Sequence, residues 1–305
     1  MYTGDNVMDE RDWTILHVLY EQKNITKTAQ ILYITQPALT KRLMHIEEEF
    51  GVKIVNRGIR GVHFTPQGEY LAKRAGQLIS TFREIKEAVL NMNQDIAGTL
   101  RIGVSHYFGK YELPALLKWF RDQYPRVDFQ LDTAFSKDIF QMAYHRDIHI
   151  GFVRGDYSWP GEKHLLFEEK IWIVSKEKID LNDLPQAPRI DYYTDTLFKS
   201  LIDRWWADRY TRAPLTAIKV DRADTCKEMV KNGLGYAFLP SRFLRDVQDI
   251  YKIELTDKDN IPLKRETWMF YYEESLQNNV VKAFVDFIKT TDLQDMSESV
   301  DFVHP

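Results

Sequence analysis

The sequence has a single cysteine, no long apolar run and no overall excess of basic residues. With Cys226 alone, an intramolecular disulfide and a cysteine-based zinc site are excluded, and a reducing compartment fits best. No apolar run approaches the roughly 18 residues that a membrane helix needs, and no secretory signal opens the chain. We therefore expect a cytoplasmic protein without a membrane partner.

The charge is distributed unevenly along the 305 residues, which are too many for one ordinary core. The net charge is −4, yet residues 23–74 carry nine Lys and Arg against four Glu. Residues 96–305 carry 29 basic and 33 acidic residues. Affinity for nucleic acid depends on a local basic patch rather than on the overall charge. The distribution predicts a small basic module joined to a larger acidic one.

Residues 26–43, TKTAQILYITQPALTKRL, predict two short helices joined by a tight turn, after a first helix over about residues 9–20. Thr26 is the expected cap of the first short helix, and Pro37 suits the first turn of the second. The side chains expected to pack inward are Ala29, Ile31 and Leu32 on the first and Leu39, Leu43 and Ile46 on the second.

The outward face of the second short helix carries donors and acceptors followed by two cations: Thr35, Gln36, Ala38, Thr40, Lys41 and Arg42. Such a face is typical of a helix that reads the DNA major groove. The alternative is an ordinary helical hairpin with a solvated polar face.

A two-stranded wing and a long helix are predicted next. The segments KIVNR and VHFT flank a turn at residues 58–61, and Thr65 and Pro66 form a helix start. The helix is expected to reach about Gln94, with an apolar stripe of Leu71, Ala75, Leu78, Phe82, Ile85, Val89 and Met92. A small winged module cannot bury this whole stripe, so we predict a dimerisation helix; a long intramolecular core helix is the alternative.

From Leu100 onward, short apolar strands alternate with helices, which is typical of a parallel α/β sheet. The predicted strands are LRIGV, VDFQLDT, IHIGFV, IWIV, AIKV, GYAFL and WMFYY. The predicted helices cover Leu113–Tyr124, Lys137–His145, Thr196–Tyr210, Asp224–Lys231 and Leu276–Thr290. Residues 292–305 are acidic and without periodicity, and they are expected to form a loose tail.

This order of elements resembles the LysR-type transcriptional regulators from Met8 to about Lys289. The matching segments are TQPALTKRLMHIEEEFGVKIVNR, VHFTPQGEYL, LRIGVS, LPALLKWFRDQYPRVDFQL and MVKNGLGYAFLP. The resemblance implies a winged helix-turn-helix domain (8–65), a linker helix (66–95) and an effector module (96–290). Two Rossmann-like subdomains, similar to periplasmic binding proteins, are expected in that module, at about 99–154 with 266–290 and at about 155–265.

The family resemblance also implies a cytoplasmic regulator that binds interrupted palindromes in double-stranded promoter DNA. Members dimerise through the linker helix and usually assemble as tetramers, and contact with RNA polymerase is a further expectation. The recognition positions correspond to Thr35, Gln36, Pro37, Ala38, Thr40, Lys41 and Arg42. Of these, we expect Gln36 and Thr40 to meet base edges. Further candidates for DNA contact are Arg57 and Arg60 on the wing, and Thr65.

The effector is expected in a cleft where strand ends, helix N-termini and crossing segments meet. The candidate residues are Ser105, His106, Tyr107, Phe135, Ser136, Arg154, Thr225 and Arg265. Ala134-Phe135-Ser136 departs from the Gly-Asn-Ser-like turn frequent in the family. Arg154 and Arg265, placed at the two crossovers beside helix N-termini, favour a small carboxylate such as a di- or tricarboxylate. The alternative is that either arginine pairs with Asp156 or another acid.

No enzymatic site is predicted, because no positioned nucleophile and base and no metal cluster emerge from the sequence. No cofactor other than the effector is expected. Two alternative functions remain: a solute-binding sensor that acts through protein contacts, and a redox-responsive regulator that uses Cys226. The spacing around Cys226 is that of a core helix, which favours a buried thiol.

Overall fold

The computed structural model describes residues 8–58, 61–90 and 96–293. The chain divides near residue 95 into two compact units, called the first and second unit here. Within the described ranges, no helix is both long enough and apolar enough to cross a membrane.

The first unit consists of three short helices, a two-stranded wing and one long helix. Its elements are α1 (Glu10–Gln22), α2 (Ile25–Ile31), α3 (Gln36–Phe50), β1 (Val55–Gly58), β2 (Gly61–Phe64) and α4 (Pro66–Leu90). The helices enclose a core that includes Ile15, Leu16, Leu19, Leu39, Leu43 and Ile46. The helix-turn-helix, the wing and the inward positions predicted for α3 are therefore confirmed.

Local hydrogen bonds explain where these helices begin and end. Thr65 accepts a hydrogen bond from the Gly68 amide at 3.0 Å and starts α4, as predicted. Gly51 ends α3 with φ of 63°, a left-handed conformation that costs glycine little. The predicted cap of α2 was wrong, because Asn24 rather than Thr26 accepts from the Lys27 amide, at 2.9 Å. The helix therefore begins at Ile25.

The inward position predicted for Ile31 was also wrong, since this side chain is 44% exposed. Ile31 follows the buried Ala29 by two residues, which places it roughly 200° around a helix of 3.6 residues per turn. Ile25 and Leu32 pack against the core together with Ala29.

The second unit alternates strands and helices. Its strands are β3 (Gly98–Ser105), β4 (Val127–Ala134), β5 (Ile150–Arg154), β6 (Glu162–Ser175), β7 (Arg189–Tyr192), β8 (Thr216–Val220), β9 (Ala237–Pro240), β10 (Tyr251–Glu254) and β11 (Lys264–Tyr271). Its helices are α5 (His106–Tyr111), α6 (Leu113–Gln123), α7 (Ser136–Tyr144), α8 (Thr196–Ala207), α9 (Ala223–Lys231) and α10 (Asn279–Thr290). Short 3-10 helices cover Leu181–Asp183, Ser241–Leu244 and Glu273–Gln277. All predicted strands and helices are present, whereas α5, β7 and β10 were missed.

The main sheet is mixed rather than wholly parallel. Its strand order is β10-β6-β11-β5-β3-β4, with β9 also paired to β6, while β7 and β8 form a separate parallel pair. Strand β3 runs parallel to β4 and β5, but β11 runs antiparallel to β5 and β6. The parallel expectation therefore holds for β3 with β4 and β5 and for β7 with β8, but not for β6, β9, β10 and β11.

Two strands carry the chain between two subdomains of the second unit. Residues 162–170 of β6 pair with β11, which is the strand next to β5 in the main sheet. Residues 171–174 of β6 pair with β9. The first subdomain contains β3, β4 and β5, and the second contains β7, β8 and β9. Arg154 therefore ends β5 and lies before the outgoing connection, not on it, whereas Arg265 lies on the returning strand β11.

Candidate DNA-binding surface and effector cleft

The start of α3 presents an exposed polar surface. The Thr35 hydroxyl caps the helix by accepting from the Ala38 amide at 3.3 Å. The exposed side chains are Thr35, Gln36, Pro37, Ala38 and Lys41, and Thr40 is half-buried. These positions form an exposed polar surface around the N-terminus of the helix, where a major-groove reader carries its contacts.

Tyr33, in the turn before α3, was missed from the sequence although its side chain is 96% exposed. Its φ of 53° is uncommon for a residue with a Cβ, and nothing in the local sequence indicates it. This left-handed residue sets the turn that leads into Thr35.

The sequence suggested that Arg42 faces outward, but in the structure its side chain is held by two acids. Its guanidinium contacts Asp9 at 3.1 Å and Asp12 at 3.0 Å, and the Asp12 side chain is fully buried. The carboxylate of Asp12 and, with it, that of Asp9 raise the pKa of Arg42 despite an opposing effect of burial. Arg42 thus joins α3 to the start of α1, and its removal would leave Asp12 buried without this cation.

The wing joins α4 through Thr65. The Thr65 hydroxyl donates to the Lys53 carbonyl at 2.6 Å while it caps α4. This hydroxyl is therefore engaged by the backbone, which gives Thr65 a structural role at the junction. Arg57 belongs to β1, but its side chain and the whole of Arg60 lie outside the described residues.

One face of α4 carries exposed apolar side chains, which we call the α4 stripe. Leu78, Phe82, Ile85 and Val89 are 37%, 51%, 57% and 58% exposed and recur at intervals of three and four residues. Nearer the helix start, Leu71 and Ala75 pack on the core of the first unit, so only the later part of the predicted stripe is uncovered. Met92 lies outside the described residues.

The second unit contains an open cleft with a cavity volume of about 70 Å³ at the ends of β3, β4, β5 and β7. Seven of the eight predicted effector residues line it: Ser105, His106, Tyr107, Phe135, Ser136, Arg154 and Arg265. Thr225 lies in the first turn of α9 and is not part of the lining. The missed lining residues are Ala134, Tyr192, Tyr193, Thr194, Asp195, Asp221, Arg222, Ala223, Asp224 and Phe243. Four of these lie at the end of β7 or directly after it. They were missed because β7 was not predicted as a strand.

The two predicted arginines are buried and paired with acids of the chain. Arg154 contacts Glu169, and Arg265 contacts Asp195. Pairing with an acid was the alternative raised from the sequence, but Asp156 is not the partner and instead contacts Lys163. Burial, followed by the neighbouring charge of Arg154, lowers the pKa of Arg265. Neither guanidinium is an uncompensated charge.

Two buried polar atoms on the cleft lining have no hydrogen-bond partner within the described part of the chain. They are the Ser105 hydroxyl and the Arg154 Nε, on residues that are 5% and 4% exposed. Buried polar groups are nearly always satisfied, so such atoms at a cleft indicate a place for a bound polar group.

The rim opposite them is formed by the start of α9. The N-cap residue of α9 is Arg222, which is exposed. Its side chain accepts no hydrogen bond, so the amides in the first turn of α9 are not capped. Burial first, and then the nearby Arg222, lower the pKa of His106, so its imidazole is neutral near pH 7. Asp224 is fixed by Lys110 at 2.9 Å and by the Tyr111 hydroxyl at 2.6 Å.

Cys226 lies on α9 behind the cleft and is fully buried. Its thiol is 3.7 Å from the Ile190 carbonyl, and burial raises its pKa to about 12. A protonated, inaccessible thiol is unreactive, so the surroundings of Cys226 do not favour the redox alternative.

Two family models match the chain in consecutive segments. Residues 11–69 match a bacterial regulatory helix-turn-helix protein of the lysR family, and residues 93–292 match a LysR substrate binding domain. The chain belongs to the LysR family. It is a DNA-binding transcriptional regulator with an effector-binding domain.

Its similar relatives include two Bacillus subtilis (strain 168) proteins described as uncharacterized HTH-type transcriptional regulators. YraN is 39% identical over 282 residues, covering 92% of this chain and 98% of YraN. YkuM is 33% identical over 284 residues, covering 92% of this chain and 97% of YkuM.

Solved structures share the fold of this LysR-family chain. A full-length OxyR variant from Pseudomonas aeruginosa has a TM-score of 0.63 at 17% identity, covering 93% of this chain and 98% of that chain. Full-length CbnR, solved in complex with its target DNA, has a TM-score of 0.61 at 17% identity, covering 92% and 99%.

Proposed function

We propose that this LysR-family regulator acts in the cytoplasm, binds promoter DNA as a homodimer that assembles further into a tetramer, and responds to a small carboxylate in the cleft. The exposed start of α3 and the wing support the DNA contact, and a protein of the same fold, CbnR, has been solved with its target DNA. Contact with RNA polymerase stays an expectation.

The α4 stripe supports the homodimer. Each of its four side chains is at least 37% exposed, and such a contiguous apolar row on a soluble helix is typical of a surface that a partner covers. A second copy of α4 carries the same stripe and can cover it by two-fold symmetry. Dimerisation then presents two copies of α3 to two half-sites.

The DNA contact can be tested with Gln36→Ala and Lys41→Ala, since neither side chain supports the core. We expect Gln36→Ala to weaken binding to a selected operator by about 1–3 kcal/mol and to relax specificity at one base pair. Lys41→Ala should weaken binding to all sequences and reduce the slope of affinity against log salt by about 1. Both can be measured by fluorescence anisotropy over a salt series.

The control is Lys282→Ala, which removes an exposed lysine from α10 in the second unit. It should leave both affinity and slope unchanged. An unchanged salt slope in Lys41→Ala, or unchanged specificity in Gln36→Ala, would mean that α3 docks in another way.

Within the described ranges, the Ser105 hydroxyl and the Arg154 Nε have no hydrogen-bond partner, and these two atoms carry the proposal of a carboxylate effector. Both are donors, both are buried at the cleft, and a carboxylate offers several acceptor sites at once. The uncapped amides of α9 and the exposed Arg222 add donors on the opposite rim. Phe135 and Phe243 supply apolar surface for the remainder of a small organic molecule.

Ser105→Ala tests this cleft directly because it deletes one donor and no core packing. Calorimetry of the full-length protein against acetate, pyruvate, succinate and citrate should show binding of at least one carboxylate. We expect Ser105→Ala to weaken that binding by about 10–150-fold, the value of a hydrogen bond to a charged group. Ser200→Ala, on the exposed face of α8, is the matched control. Failure of all four carboxylates to bind the wild type would refute a carboxylate effector.

A further inference from the structure

Asp195 occupies the place in the cleft where the sequence predicts a ligand carboxylate. We infer that this side chain is a resident carboxylate which fills one anion subsite, and that it restricts the effector to molecules with a single carboxylate. The inference rests on the proposed function in that it takes the cleft to be the effector site. It narrows the expected ligands from di- and tricarboxylates to monocarboxylates.

The contacts of Asp195 are those of a bound anion. One carboxylate oxygen accepts from the Ser136 amide at 3.0 Å, at the first residue of the nine-residue helix α7. The other oxygen contacts the buried guanidinium of Arg265. A helix N-terminus together with an arginine is a favourable environment for a carboxylate, and Asp195 already fills it.

Asp195 also links the two subdomains. It follows β7 in the second subdomain, whereas Ser136 belongs to the first and in turn accepts from the Arg154 amide at 3.0 Å. A carboxylate at this position therefore holds the cleft together without a ligand. The Asp195 side chain is 7% exposed, so this link is shielded from competing water.

The charges of the lining are balanced, so a ligand anion is held by free hydrogen-bond donors rather than by an excess of positive charge. Its ionisable side chains at neutral pH are three cations, Arg154, Arg222 and Arg265, and three carboxylates, Asp195, Asp221 and Asp224. Arg154 is additionally neutralised by Glu169, and Asp224 by Lys110. Among the described residues, the buried free donors of the lining are the Ser105 hydroxyl and the Arg154 Nε, whereas the donors at the start of α9 lie beside the carboxylates of Asp221 and Asp224. A second ligand carboxylate would meet Asp195 and be repelled.

The test compares the full-length wild type with Asp195→Ala in thermal unfolding, at pH 7 and constant ionic strength, with sodium acetate replacing sodium chloride. The variant vacates the subsite and leaves Arg265 and the Ser136 amide unpaired. Acetate should therefore raise the Tm of Asp195→Ala in a saturable manner. We expect an apparent affinity for this stabilisation at least tenfold higher than in the wild type.

The matched control is Asp246→Ala, which removes the carboxylate partner of the buried Lys227 at a site outside the cleft lining. Because its cleft is unchanged, it should respond to acetate as the wild type does. An equal acetate response in both variants, or none in Asp195→Ala, would overturn the inference.

A second variant, Asp195→Asn, keeps an acceptor for the Ser136 amide and removes only the charge. Calorimetry should then show a gain of at least tenfold in the affinity for succinate relative to acetate. An unchanged ratio would contradict the assigned role of Asp195. If the wild type binds no carboxylate but Asp195→Ala responds to acetate, the proposed effector class is wrong and the Asp195 subsite is supported. If the wild type binds a carboxylate but Asp195→Ala gains no response to acetate, the effector class is supported and the assigned role of Asp195 is wrong.

Discussion

Replacing Phe82 and Ile85 together with glutamate is expected to convert the protein to monomers and to weaken operator binding on the order of 10²–10⁴-fold. The substitutions place charges at the centre of the α4 stripe, where both side chains are more than half exposed and support no core of their own chain. Loss of the dimer removes the effective-concentration advantage of two linked half-site contacts, which accounts for the size of the effect. Sedimentation velocity and operator anisotropy measure the two quantities.

Arg83→Glu is the control for this experiment. Arg83 is exposed on the same helix and lies roughly 100° or more around the axis from each residue of the α4 stripe. The control should remain dimeric with nearly unchanged operator affinity. A dimeric double variant would contradict the assignment of the α4 stripe and would identify α4 as a helix that serves only its own chain.

The second large effect is expected on stability. Glu169→Ala should reduce the free energy of unfolding of the second unit by about 3–5 kcal/mol, the cost of breaking a buried ion pair on one side. Glu169 is 3% exposed, contacts Arg154, and accepts from the Arg242 amide at 3.2 Å, so its loss leaves a buried cation and a buried amide without this partner. Urea unfolding followed by tryptophan fluorescence provides the measurement.

The neighbouring Glu168 offers a matched control, because it is on the same strand and pairs with Lys264 at a partly exposed site. Glu168→Ala should cost at most about 1 kcal/mol. The double variant with Arg154→Ala and Glu169→Ala should be less destabilised than the sum of the single variants, since it leaves no unpaired charge. Equal costs for Glu168→Ala and Glu169→Ala would show that the buried pair contributes little.

The local pattern of the sequence was sufficient for most elements of the first unit. Periodic apolar residues placed α1, α3 and α4, and Thr65 with Pro66 marked the start of α4, because caps act over three or four residues of the chain. The error in the cap of α2 is also local, because it moves the start of the helix by only two residues. Asn24 and Thr26 both have side chains suited to capping, and in the structure Asn24 is the N-cap.

The location of the cleft could be predicted from the sequence, but the ion pairs of its arginines could not. Strand ends identified seven of its residues, because ligands in α/β domains bind where parallel strands end. The partners of Arg154 and Arg265 are 15 and 70 residues away along the chain. Pairing of this kind depends on strand register and on β7, a four-residue strand with too short a pattern to recognise. Arg42 was misplaced for the same reason, since its acids lie on α1.

The central claim is that a small carboxylate in the cleft changes DNA binding, and one titration tests it most directly. The full-length protein is bound to an operator selected from random duplex DNA, and the operator affinity is measured with and without the carboxylate that binds tightest in calorimetry. We predict a change in affinity of roughly 5–150-fold, the usual range of coupling between two sites, which Ser105→Ala diminishes. Carboxylate binding that leaves the affinity of the operator, and the bend measured on it, unchanged would contradict the account.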